Sequence, residues 1–109
     1  MEIKWDYWTG PMNTVVSSLN RSIGQYTSKN KRVKIGITNS PKRRMNEHVR
    51  GGIKWDYMII KYETSSISFA SKLESVLIDY HWDYIENEIG GGGGDYGKEK
   101  QYLYVLIKK

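Results

Sequence analysis

The chain has 109 residues, 39% hydrophobic and 27% charged, with a net charge of +5 and a pI near 9.4. That is a globular composition, enough for one modest core and too little for two, so residues 1–109 are read as a single domain. The absence of cysteine excludes disulfides, thiolate nucleophiles and Cys-based zinc sites, and two histidines alone make a poor zinc site.

No apolar run approaches the length of a membrane span and the N-terminus has no signal-peptide pattern. A soluble, cytoplasmic protein with no membrane partner is therefore expected, and its positive charge suits a polyanion. In chain order, Ile3 to Trp8 alternates apolar and polar residues and predicts a strand. Thr9-Gly10-Pro11 ends it, and Met12, Val15, Val16, Leu19, Ile23 and Tyr26 then recur at helical spacing. Arg32 to Ile37 reads as a second strand, and Ser40-Pro41 as an N-cap followed by proline at the first helical position. That helix carries Arg44 and His48 and stops at Gly51-Gly52.

Ile53 to Glu63, rich in Trp, Tyr and Ile, predicts a third strand. Ser65 and Ser66 offer a cap for a long helix whose apolar stripe is Phe69, Leu73, Val76, Leu77, Tyr80 and Tyr84. The run Gly90 to Gly94 is incompatible with helix or strand interior and reads as a loop. Tyr102 to Ile107, nearly all apolar, predicts a final, central strand. The expected fold is α+β: a small, mainly antiparallel sheet of three to four strands flanked by about three helices. Ile-Lys-Trp-Asp-Tyr occurs twice, at Ile3 to Tyr7 and Ile53 to Tyr57, which without flanking similarity is read as shared strand composition.

The densest chemical signal is the stretch from Lys34-Ile35-Gly36-Ile37-Thr38 through Arg44 to His48. A strand end, a glycine and a polar turn lead into a helix. On it, the i,i+4 spacing places a permanent cation and an imidazole on one face. This arrangement resembles the GIY-YIG nuclease family, in the branch with Lys-Ile-Gly in place of Tyr-Ile-Gly. The resemblance extends to Glu74 in a Leu-Glu pair on a later helix, to Asn87, and to the glycine-rich loop before an aromatic strand. It covers about Arg32 to Ile107.

The resemblance implies a divalent-metal-dependent endonuclease hydrolysing phosphodiesters, with DNA, double-stranded or branched, as the expected substrate. Glu74 would hold one Mg²⁺ or Mn²⁺, Arg44 would grip the scissile phosphate through paired hydrogen bonds, and His48 would position the base or relay a proton. Lys34 would stabilise a neighbouring phenolate serving as base toward water. The family's first triplet has no clear match. Tyr7 supplies its tyrosine if the first strand pairs with Arg32 to Ile37; Tyr26, in Ile23-Gly24-Gln25-Tyr26, is the alternative. Lys31, Arg32, Lys42, Arg43 and Arg50, with Lys29, are expected to meet backbone phosphates around the site, and Asn87 to brace it. Nothing in the chain reads base sequence, so specificity would call for a homodimer, a partner protein or a structured substrate. The competing readings are a non-catalytic nucleic-acid binder on the same scaffold and a protein-binding inhibitor or accessory protein.

Overall fold

The computed structural model describes residues 1–86 and 100–109. The elements run β1 (Glu2–Trp8), α1 (Met12–Lys29), β2 (Arg32–Thr38), α2 (Pro41–Arg50), β3 (Tyr57–Thr64), α3 (Ile67–Tyr80), a short 3-10 turn (Trp82–Tyr84) and β4 (Gln101–Lys108). The local signals act where the sequence puts them. Ser40 precedes Pro41 at the start of α2, Gly51 ends that helix, and the Ser66 hydroxyl accepts from Phe69 N–H at 3.1 Å to cap α3. The fold is the expected α+β one, with three α-helices on a four-stranded mixed sheet.

The sheet order is β1-β3-β4-β2. β4 is antiparallel to both of its neighbours, whereas β1 joins the free edge of β3 in parallel. The last strand is therefore central, as its continuous apolar run predicts. The expected pairing of β1 with β2 is overturned: these two strands form opposite edges, about 14 Å apart at the usual strand spacing. The reason is the crossover. A chain that leaves β1 through the 18-residue α1 is not tied to an adjacent antiparallel partner as a short hairpin would be.

Two cores sit on the two faces. Val33, Ile35 and Ile37 of β2 and Leu103, Val105 and Ile107 of β4 pack under Val15, Leu19 and Ile23 of α1 and Leu73 and Leu77 of α3. The opposite face holds Trp55, Met58, Ile60, Tyr104 and Leu106, with Met45 of α2 packed against them. Tyr62 is fully buried and its hydroxyl donates to the Gly10 carbonyl, pinning the turn after β1, where Gly10 takes a φ of +108°. Lys61 is buried as well, its ammonium 3.0 Å from Asp6 of β1.

Two further expectations shift. The strand predicted from Ile53 begins only at Tyr57, because Ile53 to Asp56 form an irregular entry in which Trp55 tucks into the second core. The stripe predicted on α3 is also rotated. The helix buries Ala70, Leu73, Glu74, Leu77 and Ile78, an i, i+3, i+4, i+7, i+8 pattern, and leaves Phe69, Val76 and Tyr80 exposed. Glu74 thus lies on the inward face. Leu73→Ala should cost about 2–5 kcal/mol in denaturant unfolding, whereas Phe69→Ala should stay within about 1 kcal/mol.

Candidate active site

The antiparallel register of β2 with β4 sets Gly36 directly opposite Tyr104. The Tyr104 ring lies across that glycine so closely that a Cβ at position 36 would overlap both the ring and the hydroxyl. The glycine of the Lys-Ile-Gly stretch is therefore a seat for a tyrosine, an aromatic side chain covering a strand glycine on the neighbouring strand. Helix α2 descends over the same face, and its His48 Nε2 meets the Tyr104 hydroxyl at 2.9 Å with the rings edge to face.

Arg44, one turn before His48, holds Glu47 at 2.9 Å, and its charge draws the Tyr104 phenol's pKa downward. Its Nε is buried and has no hydrogen-bond partner among the described residues. A buried guanidinium donor left open calls for an acceptor that the described residues do not supply. Glu74 faces the cluster from α3: Arg44 pulls its pKa down, and its own charge pushes that of Tyr104 up. The carboxylate is buried and makes no hydrogen bond or ion pair with the described residues. Tyr104, His48, Arg44, Glu47 and Glu74 thus converge from β4, α2 and α3.

Burial dominates the protonation states. It raises Glu74 to about pKa 7, against a smaller downward pull from Arg44. His48 falls to about pKa 4 through burial first, then through the charges of Lys34 and Arg44, so it is neutral at physiological pH. Tyr104 is pushed above the ordinary phenol value by burial, with Arg44 opposing, and stays protonated. His48 being neutral, its Nε2 and the Tyr104 hydroxyl share one hydrogen bond, in which the phenol donates when the imidazole carries its proton on Nδ1.

Not every expected residue joins this cluster. Tyr7 sits on the edge strand β1, in ring contact with Trp5 at 6.2 Å, and β3 and β4 separate its strand from that of Lys34. Tyr26 packs against the first core on the other face of the sheet, 5.8 Å below the Lys61 ammonium. Lys34 is half-buried, and its charge acts on His48 and Glu86; the cation acting on the central phenol is Arg44. Asn87 and the glycine run lie outside the described residues.

The basic residues line α2 and one end of β2 instead of ringing the cluster. Lys42 and Arg43 open the helix and Arg50 closes it, all three exposed. Arg43 bonds Asn39 at 2.9 Å, and Arg32 is bound in a two-point ion pair with Glu86. Lys31 lies in the exposed turn before β2, its N–H bonded to the Lys108 carbonyl at 2.9 Å.

Tyr104 and Glu47 are the two members that the sequence argument missed. Tyr104 looked like one apolar residue of a buried strand, and its partner glycine lies 68 positions earlier. The available signal was Gly36 itself, a strand glycine that needs a large neighbour to fill its place.

The cluster's chemistry suits a divalent cation. A buried, unpaired carboxylate is the hard oxygen donor that Mg²⁺ or Mn²⁺ takes, and these ions accept a single protein carboxylate when water and substrate oxygens complete the shell. Among the described residues no group of three or more His, Asp and Glu forms an all-protein cage. Also among them, no helix is long and apolar enough to cross a membrane.

Residues 22–89, well over half of the chain, match the T5orf172 domain, from within α1 to beyond α3. No curated protein and no solved structure matches. The matched domain is of GIY-YIG-like, nuclease type, which brings with it a nuclease-like or DNA-binding role. The Lys-Ile-Gly strand, the Arg44–His48 helix and the Glu74 helix all fall inside the matched span, and on that footing the chain belongs to the T5orf172 domain family.

Proposed function

We propose that the protein is a divalent-metal-dependent endonuclease that hydrolyses phosphodiester bonds in DNA. The observation carrying this reading is the buried Nε of Arg44, without a partner among the described residues, in one cluster with a hydrogen-bonded tyrosine–histidine pair and the carboxylate of the buried Glu74, which those residues also leave unpaired. An anion with several acceptor oxygens completes the guanidinium, and a phosphate presents them in a matching geometry.

Hydrolysis forms a bond from water oxygen to phosphorus and breaks the bond to the 3′ oxygen. Tyr104 takes the water's proton on its phenol oxygen and passes its own proton to His48 Nε2, so no free phenolate has to accumulate. His48, neutral in the resting protein, is free to receive it. Arg44 offsets the charge growing on the phosphate oxygens, and its charge acts on the phenol beside it. Glu47 fixes the Arg44 side chain in turn. Glu74 would hold Mg²⁺ or Mn²⁺, which supplies charge at the phosphate and at the departing oxygen. Burial first, with Lys34 adding to it, keeps His48 deprotonated, and Lys42, Arg43 and Arg50 meet neighbouring phosphates along α2. This assignment replaces Tyr7 with Tyr104 as the proton acceptor.

Tyr104→Phe should lower the cleavage rate by about 10²-fold or more while leaving DNA affinity nearly unchanged, and Tyr7→Phe should leave cleavage rate intact. Arg44→Ala should remove most cleavage and keep metal binding; Glu74→Ala should lose both, as read by plasmid nicking and by Mn²⁺ titration. Intact plasmid, linear and branched DNA after incubation with stoichiometric protein and Mn²⁺ would overturn the proposal.

The raised pKa of Glu74 fixes a second expectation. A group with a folded-state pKa above its unfolded value favours the folded state at low pH and loses that contribution as pH rises through about 7. In EDTA, Glu74→Gln should therefore be more stable than the wild type above pH 7, by on the order of 3 kcal/mol. The difference should fade toward pH 4.5, and denaturant unfolding at pH 5 and pH 8 measures it. Mn²⁺ should reverse the order at pH 8 by stabilising only the wild type.

A further inference from the structure

The sheet face that carries Tyr104 is left open toward β1, and that open part is aromatic. Trp5 is 56% exposed and Tyr7 44% exposed. Trp5 contacts Tyr7 at 6.2 Å with the rings at 74°, and Tyr102 of β4 at 5.8 Å with the rings at 83°. In neither pair are two ring faces stacked on one another, so flat aromatic surface stays available. Between these rings and the first turn of α2 runs a groove of about 410 Å³, with Trp5 and Tyr102 on one wall and Pro41 and Lys42 on the other.

An exposed patch of large aromatics on an edge strand is costly unless something covers it. Its position identifies the occupant. Tyr102 and Tyr104 alternate onto the same face of β4 and stand about 7 Å apart along the strand, roughly two base steps of a nucleic acid. Tyr102 thus places the groove one same-face step along β4 from Tyr104, and Lys42, on the helix that carries Arg44 and His48, gives it the charge that a phosphate chain requires.

We propose that Trp5, Tyr7 and Tyr102 form a stacking shelf for an unpaired base one or two nucleotides from the scissile phosphate. The substrate class is thereby single-stranded, branched or otherwise locally unpaired DNA. Bases inside a paired duplex have both faces covered by their neighbours, and only an unstacked base can offer a face to these rings. The proposal rests on the endonuclease reading above and deepens it.

The test measures affinity in EDTA, so that no cleavage is needed, for a single-stranded oligonucleotide and for the same sequence as a blunt, fully paired duplex. The wild type should prefer the single strand by about tenfold, the usual worth of one base stacked on an aromatic ring. Trp5→Leu should bring the ratio of the two affinities close to one, and Trp5→Phe, which keeps a ring face, should retain most of the preference. Both variants are first checked for an unchanged thermal transition; should Trp5→Leu fail to fold, Trp5→Phe is read instead through the loss of DNA-induced tryptophan fluorescence quenching. Equal wild-type affinities, a ratio untouched by Trp5→Leu, or quenching that survives in Trp5→Phe overturns the shelf, while Mn²⁺-dependent cleavage would leave the endonuclease reading standing. A protein that binds neither form and cuts neither with Mn²⁺ overturns both.

Discussion

The register of β2 against β4 is the constraint on which the candidate site depends. It sets Gly36 opposite Tyr104, and the missing side chain at 36 is what lets the phenol settle where His48 meets it. A slip of one residue would turn Tyr104 to the other face and carry Leu103 and Val105 out of their core. Apolar residues buried on one face of β2 and on both faces of β4 hold this register. Site geometry and hydrophobic core are thus fixed by the same pairing, and the tyrosine is positioned by the bulk of the fold instead of by a loop.

Electrostatics then give the cluster its character. Burial removes the solvation that would keep Glu74 and His48 near their ordinary titrations, which leaves a neutral imidazole, a protonated phenol and a carboxylate poised near neutrality around one permanent cation. Arg44 is held by Glu47 yet keeps a buried donor unpartnered among the described residues. Among those residues the arrangement is incompletely satisfied. That is the electrostatic signature of a site built for a ligand.

The order of the chain is instructive. The family resemblance points to a tyrosine before Lys34. The phenol that meets His48 comes instead from the last strand of the chain, which takes a central place in the sheet beside β2. The family match from 22 to 89 contains α2 and α3 but not β4, so the central phenol comes from outside the matched span. Strand β1, displaced to the far edge, is free to carry its exposed aromatics on the same face.

What the sequence determined was local. Pro41 fixes the start of α2 through its preset φ, and Ser66 that of α3 through a capping hydrogen bond. The apolar run of Tyr102 to Ile107 marks a strand buried on both faces, and the i,i+4 spacing of Arg44 and His48 puts them together on any helix. Strand partners, and the tyrosine that meets His48, were decided by the tertiary structure, because pairing depends on the apolar burial gained by the whole sheet. The pentapeptide Ile-Lys-Trp-Asp-Tyr makes the point most directly: Trp5 stands 56% exposed on an edge strand, while Trp55 is 5% exposed in the second core. Identical local chemistry yields an open aromatic surface in one place and a packed core in the other, since burial is set by what the rest of the chain lays on top.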